Sequence, residues 1–307
     1  MRRLLKLAGL ALAALLGLAV LLALGARLWA EHKRQRVVVI AVAELPPLEG
    51  AAAVQRGRYL FESRGCANCH GLDGGGRVFA QAGDGTTLAG PNLTPGGAVA
   101  SYGGRDWARA VRHGVAPGGR PLLIMPSDDY VRLTDADLGA IVAYLRQLPA
   151  RSGGEARIGL PFVAWMAYGF GLMRDASERV DHSVVPAEPV AEAVSVEHGA
   201  YVASLCVGCH GAGLEGGRVP GNPPHWPPAA RLAPGAGSVM ASYPDAESLR
   251  RLFRTGLRAD GSRVAVMPFE SLARLSEVDV QALHLYLRGG GTTAPSTGKA
   301  APTPRRP

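Results

Sequence analysis

Cys66-Ala67-Asn68-Cys69-His70 and Cys206-Val207-Gly208-Cys209-His210 are two copies of one five-residue pattern, C-x-x-C-H. It is the attachment signature of a c-type haem. The spacing follows from the chemistry. Two thiols three positions apart on a tight helical turn reach the two vinyl groups of one porphyrin and form thioethers. The histidine that follows then lies under the iron as its proximal ligand. A lone C-x-x-C is shared with redox dithiols and with half of a zinc site. The added histidine, the repetition and the lack of a fifth cysteine single out haem. A zinc site built from both pairs would join motifs 140 residues apart, each with its own downstream partners.

Those downstream partners repeat as well, which sets the architecture. Gly57-x-Tyr59 recurs as Gly199-x-Tyr201, and Met125-Pro126 as Met267-Pro268. Thr134 and Asp137 recur as Ser276 and Asp279, and Tyr144-Leu145-Arg146 as Tyr286-Leu287-Arg288, all at an offset of 142. His70 to Met125 is 55 residues and His210 to Met267 is 57. Thr134 to Asp137 reads as a capping-box-like helix start. Leu138, Ile141, Val142 and Leu145 follow at the spacing of one buried helical face, and Pro149 stops the run.

A methionine thioether is a soft iron ligand that raises the reduction potential. Met125 is the only methionine of the first repeat and is flanked by Leu122, Leu123 and Ile124. It is the expected partner of His70, with His113 as its rival and a plain core methionine as the bland alternative. By the repeat, Met267 is the expected partner of His210, with Met240 as its rival. An iron held by histidine and methionine has no open position for substrate, which favours electron transfer over catalysis.

The first repeat resembles the class I cytochromes c, on C-x-x-C-H, then Gly90-Pro91-Asn92-Leu93, then the late methionine, in that order. The resemblance implies that the Pro91 carbonyl accepts a hydrogen bond from the proximal histidine and orients it. The looser counterpart Trp226-Pro227-Pro228 assigns the same role to Pro228. It also implies a terminal helix that crosses the first one and carries an aromatic, here Tyr144. The tandem layout is similar to membrane-anchored dihaem cytochromes c and to the cytochrome subunits of membrane-bound alcohol and gluconate dehydrogenases. In those subunits G-P-N-L-T-P and a methionine-proline followed by a T/S-D-x-D-L helix recur. The likeness covers about residues 54–150, and 197–288 less tightly. Those subunits carry three haems where this chain has two motifs. The anchored dihaem subunit of the cbb3-type oxidase shares the layout, with closer motifs and without the apolar middle found here.

Arg2, Arg3 and Lys6 precede a nearly unbroken apolar run from Leu7 to Ala26, 20 residues. As helix this measures about 30 Å, enough to cross a bilayer core, and Trp29 suits the interface. The run exceeds the h-region of a signal peptide, so an uncleaved anchor is favoured over cleavage. Basic residues flank both ends. Haem attachment on the outer side of the bacterial inner membrane then places the N-terminus inside and the rest in the periplasm. Ile158 to Met173 is apolar but short and broken by Pro161 and three glycines. It reads as a helix packed between the haem domains, or else as a monotopic contact with the membrane or a partner.

The 307 residues accommodate two domains. The net charge of +8 is spread along the chain, with no basic, aromatic-interleaved stripe for nucleic acid, and suits steering towards an acidic partner. The expected fold is all-α, two tandem class I cytochrome c-like helical haem domains after one transmembrane helix. The expected division is an anchor over 1–30, a periplasmic stalk over 31–50, haem domains over 51–152 and 196–290, an apolar segment and linker over 153–195, and a disordered tail over 291–307. Two covalent c-type haems are expected, on Cys66 and Cys69 and on Cys206 and Cys209. The reading is a single-pass electron carrier between a dehydrogenase or quinol-side donor and a terminal oxidase or soluble cytochrome. The alternative is a haem enzyme, a dihaem peroxidase or a thiosulfate dehydrogenase, with one open haem. Glu270, three residues after Met267, is the one acid placed to serve a peroxidase and reads as a solvated loop charge.

Overall fold

The computed structural model describes residues 2–219 and 225–289, so the expected tail over 291–307 lies outside the described residues. The chain opens with a 34-residue helix, α1 (Arg2–Gln35). Among the described residues it is the one helix long and apolar enough to cross a membrane. It runs past the expected end of the anchor at residue 30, because Glu31 and Arg34 pair one turn apart and continue the helix as a charged segment.

A first helical unit follows. It holds α2 (Ala51–Ser63), the short turn α3 (Cys66–His70), α4 (Gly104–His113), α5 (Ser127–Tyr130) and α6 (Asp135–Gln147). α2 and α6 cross and bury Leu60, Phe61, Leu138, Ile141 and Leu145 between them. The Thr134 side chain accepts from the Asp137 amide and caps α6, as its sequence dictates. Sequence reading missed a small antiparallel sheet, so the fold is mostly helical rather than all-α. β1 (Arg77–Gln81) pairs with β2 (Thr87–Gly90), and β2 with β3 (Arg157–Gly159). The first strand pair arises because a hairpin over Gly83–Gly85 joins two short runs, and the third strand comes from beyond the unit's expected end.

The segment after β3 carries α7 (Phe162–Gly169) and α8 (Ala176–Arg179). α7 is not sandwiched between the two units. It packs along the last turns of α1, where Tyr168 meets Ala30 and Leu123. Gly169 permits the approach, since a Cβ there would lie 2.7 Å from the Ala26 carbonyl oxygen. The stretch expected to act as a stalk is also packed down. The Val38 amide donates to the Gly119 carbonyl at 2.8 Å, Leu45 is buried, and Arg36 pairs with buried Asp175 at 2.6 Å. The first unit therefore sits against the end of α1.

The second unit repeats the first with α9 (Val196–Ala203), α10 (Val207–His210), α11 (Ala246–Thr255), α12 (Phe269–Leu272) and α13 (Glu277–Leu287). α9 crosses α13 as α2 crosses α6, over a core of Val202, Val280, Leu283 and Leu287. Ser276 caps α13 by accepting from the Asp279 amide, at the position of Thr134.

Candidate haem-binding sites

Each C-x-x-C-H motif forms a single tight helical turn fed by the preceding helix. Gly65 stands in the left-handed region at the start of the first turn, which redirects the chain from α2 into α3. Both turns end alike. The Gly76 amide donates to the His70 carbonyl and the Gly216 amide to the His210 carbonyl, each at 2.9 Å. The four thiols are free. Burial pushes Cys66 and Cys206 up to about 12 and Cys69 up to about 11, so these thiols are neutral. Among the described residues, no three His, Cys, Asp or Glu side chains converge into a metal cage.

The histidines are held for one task. His70 Nδ1 lies 2.9 Å from the Pro91 carbonyl oxygen, and His210 Nδ1 lies 2.7 Å from that of Ala230. A carbonyl can only accept, so Nδ1 carries the proton and Nε2 keeps its lone pair. Burial lowers both imidazoles below their ordinary value and keeps them neutral. The donor set therefore fits a haem iron.

Ala230, not Pro228, is the residue that faces His210. The loop's register is fixed by Leu93 and Leu232, whose amides donate to the carbonyls of Gly74 and Leu214. Gly90-Pro91-Asn92-Leu93 thus corresponds to Ala229-Ala230-Arg231-Leu232. Any residue supplies a carbonyl, so the proline that marks the loop in the first unit was free to change in the second.

Met125 and Met267 are each partly buried, and each packs against the core of its own unit. The backbone after both is the same, with Pro126 and Pro268 at nearly identical angles. The rivals are engaged elsewhere. His113 Nδ1 lies 3.1 Å from His182 Nδ1, and Met240 is buried in the core as part of a 3-10 turn over Val239–Ser242. Glu270 is exposed and pairs with Arg77 at 2.8 Å.

Sequence reading missed how the two turns are brought together. Tyr59 of the first unit donates to Asp279 of the second and accepts from the Ser276 amide at 2.9 Å. Tyr201 of the second unit donates to Asp137 of the first at 2.7 Å and accepts from the Thr134 amide at 3.3 Å. These pairs are related by the offset of 142, so the interface is reciprocal, a twofold relation within one chain. The short helix after each methionine covers the other unit's turn. Asn68 donates to Ser271 at 3.3 Å, and the Gly208 amide donates to Asp129 at 2.7 Å. The fit is close, because a Cβ on Gly208 would lie 2.8 Å from Asp129 Oδ1 and the carboxylate would have to shift to admit it.

The junction carries its own pH dependence. Burial, then the adjacent Asp128 carboxylate, pushes half-buried Asp129 up to about 8. A raised carboxyl contributes its stability fully below its unfolded value near pH 4 and loses it as pH rises towards the folded value. The melting midpoint is expected to fall between pH 6 and about pH 8, and Asp129→Asn to flatten that slope. Thermal unfolding monitored across this range checks it, and an unchanged slope in the variant would refute the assignment.

The cytochrome c family matches residues 54–149, which hold the first turn, Pro91, Met125 and α6. That stretch is similar to a cytochrome c domain. The cytochrome c family implies a covalently bound c-type haem. The chain is 37% identical over 103 residues to the gluconate 2-dehydrogenase cytochrome c subunit of Pantoea cypripedii, covering 30% of this chain and 22% of that one. It is 34% identical over 103 residues to the fructose dehydrogenase cytochrome subunit of Gluconobacter japonicus, covering 30% and 21%. It is 34% identical over 109 residues to the cytochrome c subunit of the quinone-linked alcohol dehydrogenase of Gluconacetobacter polyoxogenes, covering 33% and 23%. The chain thus matches under a quarter of the length of these curated relatives.

Proposed function

We propose that the chain is a membrane-anchored, periplasmic dihaem c-type cytochrome. It transfers electrons between a dehydrogenase or quinol-side donor and a terminal oxidase or soluble cytochrome. The observation that supports two haems is the second turn, where His210 is held by a backbone carbonyl as His70 is in the cytochrome c domain. Cys66 and Cys69 hold the first haem, and Cys206 and Cys209 the second. His70 with Met125 and His210 with Met267 are the axial pairs, and the carbonyls of Pro91 and Ala230 orient the histidines.

A c-type haem supplies one-electron exchange at its iron. The protein's part is to bind and orient it, to keep each Nε2 unprotonated, and to surround the methionine thioethers with apolar side chains that exclude water. With histidine and methionine on each iron there is no place for substrate, hence a carrier rather than an enzyme. The reciprocal interface sets the two attachment turns against each other's unit and makes a short path from one to the other. The similarity to gluconate, fructose and alcohol dehydrogenase subunits favours a dehydrogenase as the donor. Haem attachment outside the inner membrane, with α1 as anchor, favours the periplasmic face of a bacterial inner membrane.

The test is a haem count on the full-length, detergent-solubilised protein. Two covalently bound haems are expected, and one in the Cys206→Ala/Cys209→Ala variant. The oxidised protein should show the near-infrared charge-transfer band of methionine–iron ligation for both haems, and the reduced protein should not bind carbon monoxide. A single haem would remove the dihaem reading. A haem that binds carbon monoxide would move the chain towards the enzyme reading.

A further inference from the structure

The stretch from Pro161 to Met173 has no charged side chain, and the structure uses only one side of it. The inner side is committed. Tyr168 is fully buried, donates to Asp175 at 2.8 Å and lies under the Lys33 ammonium at 4.4 Å from its ring centre. Trp165 lies under the Arg27 guanidinium at 4.8 Å, and Gly169 touches the α1 backbone at Ala26. The outer side is bare. Phe162 is 48% exposed, Val163 73%, Phe170 62% and Leu172 73%. Four large apolar side chains stand uncovered within eleven residues of one segment, and apolar surface gathered in this way calls for a partner in water.

Its position names that partner. α7 meets α1 at residues 26 to 33, where the apolar run of α1 ends. On α1 itself Leu28 and Trp29 are exposed at the same level, and every leucine from Leu4 to Leu24 is exposed before them. The bare side of α7 and of the turn after it therefore continues the surface that α1 would present to lipid. Charged side chains begin on α1 at this level, Arg27 and Arg34 with Glu31 and Lys33 with Glu178, which marks where the apolar surface gives way to a polar one.

We propose that this face is a second membrane contact: Phe162, Val163, Phe170 and Leu172 enter the interfacial layer of the bilayer leaflet from which α1 emerges. The inference rests on the anchoring reading above and deepens it. A single helix leaves the unit it carries free to swing and rotate. A helix plus an interfacial patch, tied by the Arg36–Asp175 pair and by Tyr168, fixes the orientation of the cytochrome c domain to the membrane plane. Interfacial insertion of a short segment rich in Phe and Leu is physically ordinary and scales with the apolar area buried.

Site-directed spin labelling of the haem-loaded, full-length protein in vesicles of phosphatidylcholine and phosphatidylglycerol tests this. The native cysteines are consumed by haem attachment, so single cysteines take the label at Leu172→Cys, at Leu12→Cys within α1, and at Ala259→Cys on an exposed loop of the second unit. The ratio of collisions with oxygen to collisions with a water-soluble nickel chelate is read at each. The Leu172 label is expected to show a ratio several-fold above that at Ala259 and below that at Leu12. If Leu12 is lipid-like while Leu172 matches Ala259, the patch is not in the membrane and the anchor stands. If Leu12 itself matches Ala259, the anchoring reading fails and takes this inference with it. A second variant, Phe170→Cys, must agree with Leu172.

Discussion

Asp279→Ala is expected to unlatch the two units and to cost about 3–5 kcal/mol, the range for breaking a buried ion pair from one side. Asp279 is fully buried and meets Arg64, itself 1% exposed, at 2.7 Å. It also accepts from Tyr59 and lies 2.7 Å from His198 Nε2. Deleting it orphans a guanidinium in a place water does not reach. Burial pushes the Asp279 carboxyl up, but the Arg64 charge and the Tyr59, Arg64 and His198 hydrogen bonds outweigh it and hold it below its ordinary value. A lowered carboxyl contributes above its unfolded value near pH 4 and loses that contribution as pH falls through the folded value. Acid should thus loosen the junction before it melts either core. The matching position in the other half differs. Asp137 pairs with Arg56, which is 26% exposed, so water stands in for a lost partner and Asp137→Ala should cost less. Unfolding followed by far-ultraviolet and haem-region circular dichroism checks this. The wild type should melt in one transition and Asp279→Ala in two. One transition with a loss below about 1 kcal/mol would show that the network is not what joins the units.

This latch explains what the sequence could and could not disclose. The two C-x-x-C-H turns, the Met-Pro pairs and the helix starts at Thr134 and Ser276 are local signatures, because each is set by residues a few positions apart. Asp137 and Asp279 are legible as capping residues for the same reason. Their second role, accepting from a tyrosine of the other unit, joins residues 64 and 220 positions apart, and nothing in local spacing marks it. A sharper signal was present, since Tyr59 and Tyr201 recur at the same offset as Asp137 and Asp279. Pro228 was misleading because proline is conspicuous while a carbonyl is common to every residue; the leucine at Leu93 and Leu232 carries the register. Apolar composition alone placed α7 between the haem domains, whereas Tyr168, Trp165 and the close approach at Gly169 seat it on α1. The strand over Arg157–Gly159 is three residues long, too short for any period to register.

Gly57→Ala and Gly199→Ala are expected to destabilise, against the usual sign for glycine in a helix. Alanine is the better helix former by about 1 kcal/mol, and neither glycine needs a positive φ. The obstacle is the helix crossing. A Cβ on Gly57 would lie 1.9 Å from the Ala140 carbonyl oxygen, and one on Gly199 would lie 2.1 Å from that of Ala282. Backbone cannot rotate away as a side chain does, so the crossing helices must part, and the cost belongs at or above the upper end of the roughly 1–3 kcal/mol seen for overpacked cores. After the propensity gain, a net loss of about 2 kcal/mol remains, or roughly 4–8 °C in melting midpoint for a chain of this size. The damage should also be local. Parting α2 from α6 moves Phe61 from Tyr144, whose rings stand 5.6 Å apart, and loosens the approach to the first attachment turn. Gly57→Ala should therefore disturb the absorption of the haem on Cys66 and Cys69 and spare the other, with Gly199→Ala doing the reverse. Melting and haem-region spectra of the two single variants decide it: a raised midpoint in either would mean that the close crossing is not maintained in the folded protein.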